Sequence, residues 1–176
     1  FDDGLIELRD LLEAGGFHTI AGAAFIGEHS FSRVLAAGRP DAKDLEIADQ
    51  FARQAAEKAA AWDPAVPHTP APVRGEEPIR PYYQPRDRKG NPIDIRKVKP
   101  KTSDACDNCG LCARVCPMGS IDPEDVRAFR GICIKCGACI KKCPKGAKYY
   151  DDPGYLYHKE ELELGYARRA EPALFL

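Results

Sequence analysis

No stretch of this sequence approaches the ~18 consecutive apolar residues that a membrane-spanning helix needs, so no membrane span is expected. The opening Phe1-Asp2-Asp3-Gly4 lacks the basic-then-apolar layout of a secretory signal. Charge imbalance is missing too: 26 Lys and Arg face 27 Asp and Glu, for a net charge of −1. That balance gives a polyanion little to hold, and nucleic-acid binding is not expected. No cysteine falls outside residues 106–143, so none is left over for a stabilising disulfide, and a reducing cytoplasmic location is expected. There is no initiator Met, and the chain is expected to start partway through a longer product. What is present, 44% apolar and 30% charged residues in a chain of 176, describes a globular protein of one or two small domains.

The eight cysteines form one pattern written twice. Cys106-x-x-Cys109-x-x-Cys112-x-x-x-Cys116-Pro117 returns, 27 residues on, as Cys133-x-x-Cys136-x-x-Cys139-x-x-x-Cys143-Pro144. Gly110 aligns with Gly137, and Pro117-x-Gly119 with Pro144-x-Gly146. Three thiolates at i, i+3 and i+6 let one tight loop wrap a 4Fe–4S cluster, while the fourth, followed by Pro, is carried off to the other cluster. Two 4Fe–4S clusters are therefore expected. Cys106, Cys109, Cys112 and Cys143 would hold the first, and Cys133, Cys136, Cys139 and Cys116 the second. Zinc does not need this pattern, since its structural sites use two pairs of ligands. Leu111, Val115, Met118, Ile132, Ile134 and Ile140 are expected to keep water from the sulfides.

Residues 1–62 read as part of an α/β layer. Leu5, Leu8, Leu11 and Leu12 recur at helical spacing behind a capping Asp2 or Asp3, and Gly15-Gly16 ends the helix. Residues 17–26 are apolar on both faces, which suits a parallel strand covered on both sides. His18 on that strand is expected to be a satisfied core or edge histidine. Gly27-Glu28-His29-Ser30 follows as a loop, with Glu28 and His29 capping a turn or facing a neighbouring domain. Pro40-Asp41-x-x-Asp44 opens a second helix whose buried stripe is expected at Leu45, Ala48, Ala52, Ala55 and Ala59. A strand buried on both faces needs neighbours that this stretch does not contain. About half of an α/β domain of ~100–150 residues is therefore expected upstream.

Nine of the fifteen prolines fall between Asp63 and Pro100, so residues 63–100 are expected to be a stiff, extended linker with a turn at Asp87–Pro92. Residues 101–150 form the cysteine domain, with a short helix or turn at Asp122–Phe129. Residues 151–176 add a helix after Pro153, through Leu156, Glu160, Leu162 and Leu164, and an apolar docking tail, Pro172–Leu176. Lys135, Lys141, Lys142, Lys145 and Lys148 lie in a run without a single acid. They are expected to offset cluster charge or to form a docking face for an acidic redox partner protein.

The cysteine segment resembles bacterial-type ferredoxins with two 4Fe–4S clusters. Ala24-Phe-Ile-Gly-Glu-His-Ser-Phe-Ser32, Gly38-Arg-Pro-Asp41 and Glu171-Pro-Ala-Leu-Phe-Leu176 resemble ferredoxins fused behind a flavodoxin-like domain. The resemblance implies that residues 1–62 are the C-terminal helix–strand–helix of that domain. It also implies that FMN binds only with an N-terminal half, because the family's phosphate loop follows a first strand absent from this sequence. The function expected is that of an electron carrier with no catalytic residue. The alternatives are a flavin and iron–sulfur oxidoreductase in the full-length protein, or a structural iron–sulfur docking module.

Overall fold

The computed structural model describes residues 2–176. In chain order its elements are α1 (Gly4–Ala14), β1 (Gly22–Ala24), α2 (Ala42–Ala60), a 3-10 turn (Ile95–Lys97), β2 (Lys101–Thr102), α3 (Leu111–Arg114), α4 (Ala138–Lys141), β3 (Lys148–Tyr149), α5 (Pro153–Gly165) and β4 (Ala173–Phe175). The chain divides into two compact units, each assembled from separate stretches. Residues 2–27, 38–82 and 169–176 make the first; residues 28–37 and 83–168 make the second.

In the first unit the core is small. Ile6, Ala71 and Val73 are buried, with Leu5 and Phe175 packed on them. Gly75 closes it: a Cβ there would sit 2.2 Å from Ile6 Cγ2, so no larger residue fits. The proline-rich stretch thus contributes Ala71 and Val73 to this core, and the Ala71 N–H donates to the Thr19 carbonyl at 2.9 Å. The C-terminal β4 pairs antiparallel to β1 in the register Gly22–Phe175.

Several expectations for this unit need correction. The strand is three residues long and antiparallel, and Phe17, at its expected start, is 63% exposed. His18 is exposed and its ring packs at a tilt beside Trp62 and His68. In α1 the buried residue is Ile6, whereas Leu8 and Leu11 are exposed. Asp3 precedes α1 without capping it. Its carboxylate instead accepts from Arg80 Nε at 2.7 Å and from the Glu76 and Arg80 N–H groups at 3.0 Å. A fork of cationic donors outbids the helix N-terminus for that acid.

In α2 the half-buried residues are Ile47, Ala48, Phe51 and Ala55, in line with fully buried Asp44. Leu45, Ala52 and Ala59 are exposed, so the expected stripe is rotated from the real one. The phase is set by Asp44. It completes a capping box with Asp41 and takes Arg39 Nε at 2.8 Å, while a second Arg39 donor meets its other oxygen. A buried ion pair with its remaining lone pairs satisfied fixes a helix's rotation more firmly than a row of alanines can.

The second unit contains β2 and β3, paired antiparallel at Lys101–Tyr149 and Thr102–Lys148. The turn at Asp87–Pro92 forms as expected, with Arg86 bridging to Pro92 and the Asp87 carboxylate accepting from the Lys89 and Asn91 N–H groups. Residues 122–129 form a turn, closed by an Ile121–Phe129 bridge over buried Val126. Asp152 caps α5 through the Tyr155 N–H at 2.8 Å, with Pro153 in its first turn. That helix buries Tyr155 and His158, while Leu164 is 79% exposed.

Candidate metal centre

The doubled cysteine pattern folds into doubled geometry. Asn108 and Lys135 have φ of 57° and 60°; Gly110 and Gly137, 71° and 72°; Gly119 and Gly146, 57° and 59°. Each member of these pairs lies 27 residues from its mate. Gly110 and Gly137 each precede a four-residue helix, α3 or α4, that carries a cysteine of 9% exposure, Cys112 or Cys139. Left-handed backbone is cheap at Gly and tolerable at Asn, so the turn chemistry is written locally in the sequence. Gly137 has a second reason to lack a side chain: a Cβ would lie 2.2 Å from the Ser30 carbonyl oxygen.

All eight cysteines are free thiols, and two cavities collect them by fours. One is lined by Cys106, Cys109, Cys112 and Cys143, with Val126 and Ala147 in its wall. The other is lined by Cys116, Cys133, Cys136 and Cys139, with Ile121, Phe129 and Tyr150. Each set of four takes three cysteines from one half of the repeat and one from the other.

Sulfur spacing narrows what such a set can hold. Four thiolates around one tetrahedral zinc at about 2.3 Å would stand ~3.8 Å apart. Among the described residues the three-ligand set whose atoms all converge within 4.8 Å is Glu13, His18 and His68, and it includes no cysteine. No three cysteine sulfurs converge that closely among the described residues. In the Glu13 set, the carboxylate already accepts from the Thr19 N–H at 2.7 Å and lies 3.0 Å from His68 Nε2. These contacts are a sufficient account of that cluster.

The electrostatics also follow the repeat. Burial pushes the Cys112 thiol up, and carries Cys139 up to about 11. For Cys116 and Cys143 burial acts the same way but is outweighed by backbone N–H groups, and both thiols end below their usual value. The Ser120 N–H reaches Cys116 Sγ at 3.4 Å, and the Ala147 N–H reaches Cys143 Sγ at 3.3 Å. Oriented donors of this kind stabilise thiolate and, with it, a metal–thiolate bond.

Two site expectations fail. Met118, Ile132 and Ile134 line the second cavity but are 49%, 73% and 54% exposed; of the expected residues Ile140 joins the packed apolar wall, whose other members are Ile121, Val126 and Phe129. The five lysines do not form one face. Lys135 and Lys148 are buried at 6% and 3% exposure, and Lys141 is committed to the His29 carbonyl and the Glu28 carboxylate. Exposed Lys145 faces Asp107 at 3.7 Å. Short carbonyl-bound lysines were invisible in the sequence because their acceptors, such as Arg96 O and Val126 O, are distant main-chain atoms.

Beyond Glu28 and His29, the segment 30–37 also packs on the second unit. Arg33 Nη2 donates to the Ile140 carbonyl at 2.9 Å, and Ser32 Oγ to Glu163 at 2.5 Å. Phe31 packs on Tyr155 with ring centroids 4.9 Å apart.

Residues 105–148 match the family of the 4Fe-4S dicluster domain. The match covers all eight cysteines and supports iron–sulfur binding and electron transfer by this segment. No curated protein and no solved structure matches the chain. Among the described residues no helix is long and apolar enough to cross a membrane.

Proposed function

We propose that the dicluster segment makes this chain a ferredoxin-type electron-transfer protein with two 4Fe–4S clusters. Cys106, Cys109, Cys112 and Cys143 hold one, and Cys116, Cys133, Cys136 and Cys139 the other. The observation that carries the reading is the crossed lining of the two cavities, three cysteines from one half and one from the other. Bound, the groups supply one-electron chemistry at potentials set by cluster charge, hydrogen bonding and exposure. The chain's own contribution is positional. The turns at Gly110 and Gly137 aim three thiols inward, the N–H groups of Ser120 and Ala147 steady the crossing cysteines, and Val126, Ile121 and Ala147 exclude water. No side chain is assigned acid, base or nucleophile work. The partner is a redox protein. With Lys135 and Lys148 buried, Lys142 and Lys145 are the lysines of that run left to meet it. A reducing cytoplasm suits such thiolates.

A second reading has its own observation. Leu11, Phe17 and Leu45 of the first unit are 66%, 63% and 59% exposed, so this unit leaves several large apolar side chains uncovered. This exposure supports residues 1–62 as the C-terminal portion of a flavodoxin-like domain that an N-terminal half would cover. FMN would enter with that half and make the whole a flavin and iron–sulfur oxidoreductase. Anaerobic purification, an absorbance spectrum and an iron count test both readings. About eight irons per chain with reversible bleaching is the expected result. Zinc in place of iron would overturn the first reading, and a full-length product without flavin the second.

A further inference from the structure

The two halves of the repeat match in backbone but not in the groups beside their leading cysteines. The Tyr150 hydroxyl lies 3.8 Å from Cys133 Sγ. The position 27 residues earlier is Pro123, which has no donor, and among the described residues no hydrogen bond reaches the sulfur of Cys106, the mate of Cys133. Lys135 is buried at 6% exposure and held by the carbonyls of Arg96 and, at 3.0 Å, Cys133. Its mate is Asn108, which is neutral. An O–H donor and an ammonium thus stand beside Cys133, and the positions 27 residues earlier, Pro123 and Asn108, supply neither.

Other features do not cancel this difference. Cys112 and Cys139 have the same 9% exposure. Lys145 and Lys148 line the first cavity; Lys145 faces Asp107 at 3.7 Å, and the charge of Lys148 reaches Cys139 as well as Cys112. The surroundings of Cys139 desolvate its thiol further, which opposes the donor and the ammonium. Reduction adds negative charge to a site that is already anionic. A donor to its sulfur and a nearby cation therefore favour the reduced state, in the way they lower a thiol's pKa.

We propose that Tyr150 and Lys135 make the cluster held by Cys116, Cys133, Cys136 and Cys139 the higher-potential member of the pair, so that it is the first to be reduced. This rests on the two-cluster reading above. Tyr150 and Lys135 are positioning residues, since they act through Cys133. Tyr150 also packs on Tyr155, with centroids 3.9 Å apart, which holds its hydroxyl in place and gives the ring a role that Phe can keep.

The test is a redox titration of the holoprotein followed by paramagnetic resonance, with an iron count run beside it. Wild type should show two midpoints. Tyr150→Phe and Lys135→Asn should each move the higher one negative and leave the lower in place. The expected size is about threefold to tenfold in the reduced-to-oxidised ratio, or about 30–60 mV at 59 mV per tenfold. Asn is the residue the first repeat uses at the same left-handed backbone position, so Lys135→Asn is compatible with folding. Full iron loading with equal wild-type midpoints, with shifts confined to the lower midpoint, or with no shift in either variant would overturn the proposal. Failure to load iron would instead sink the two-cluster reading, and the iron count tells the two apart.

Discussion

The cysteine segment and the first unit differ in how far local sequence dictates their structure. In residues 105–148 the two repeats agree in φ to within a few degrees at three paired positions, and the eight cysteines line two separate cavities by fours. In the first unit the helices exist near their expected bounds, but the strand direction, the α2 stripe and the place of His18 all differ. Spacing within a tight loop is a local constraint that the backbone must satisfy on the spot. A helix stripe is a statement about what lies across from it, and that depends on partners distant in sequence. The lesson is that motif spacing travels from sequence to structure better than amphipathic phase does.

The largest expected effect would break the symmetry of the repeats. Gly110→Ala and Gly137→Ala both force a side chain into left-handed backbone, at about 1–2 kcal/mol each. At Gly110 the new Cβ meets the flexible end of Arg114 at 3.2 Å, whereas at Gly137 it meets the Ser30 carbonyl oxygen at 2.2 Å. Gly137→Ala should abolish cluster loading, and Gly110→Ala should retain most of it, as read from iron content and visible absorbance. Equal losses would mean that the packing of residues 28–37 on α4 is unimportant.

The next effect belongs to the first unit. Asp44→Ala removes the anion from buried Arg39 and from Arg169, whose Nη2 lies 3.3 Å away. Breaking a buried pair is costly, and a fall of roughly 10 °C in melting temperature is expected. Iron content should be unchanged. Loss of iron in this variant would show that the comparison between the units is wrong.

A pH series sharpens the contrast. His29 is held below its ordinary value by burial and then by Lys141, and His158 by burial and then by His29. The folded state therefore binds fewer protons than the unfolded one, where histidine titrates near 6.5. Their contribution is full above about pH 6.5 and is lost as pH falls. Glu13 is pulled down to about 2, first by the Thr19 hydroxyl and then by His68. Its contribution is present above about pH 4.3 and disappears only on the way to pH 2. Amide exchange, corrected for its intrinsic pH dependence, should rise in residues 28–37 and α5 between pH 7 and 5.5. Protection in α1 should hold until about pH 4. Simultaneous loss in both would contradict these shifts.

The smallest effect is expected where the apolar pattern misled. Leu45→Ala in this chain should change stability by no more than about 0.5 kcal/mol, because Leu45 is 59% exposed. Phe51→Ala, on the half-buried side, should cost more. A large loss at Leu45 in a longer product, set against a small one here, would reveal a covering layer over α2.

Much of the candidate site was legible because it is covalently local. The i, i+3, i+6 spacing, the Pro after each fourth cysteine and the glycines at fixed offsets dictate turns within a few residues, and a 27-residue repeat tells the reader to apply the result twice. The caps at Asp41 and Asp152 and the turn at Asp87 belong to the same class. What only the tertiary structure decided is every contact that joins distant segments. Ser30 fits over Gly137, Lys135 gives its charge to a carbonyl at Arg96, Tyr150 faces Cys133, and Asp44 turns α2 toward Arg39. A buried polar group takes whichever acceptor the fold brings to it, and sequence spacing carries no record of that choice.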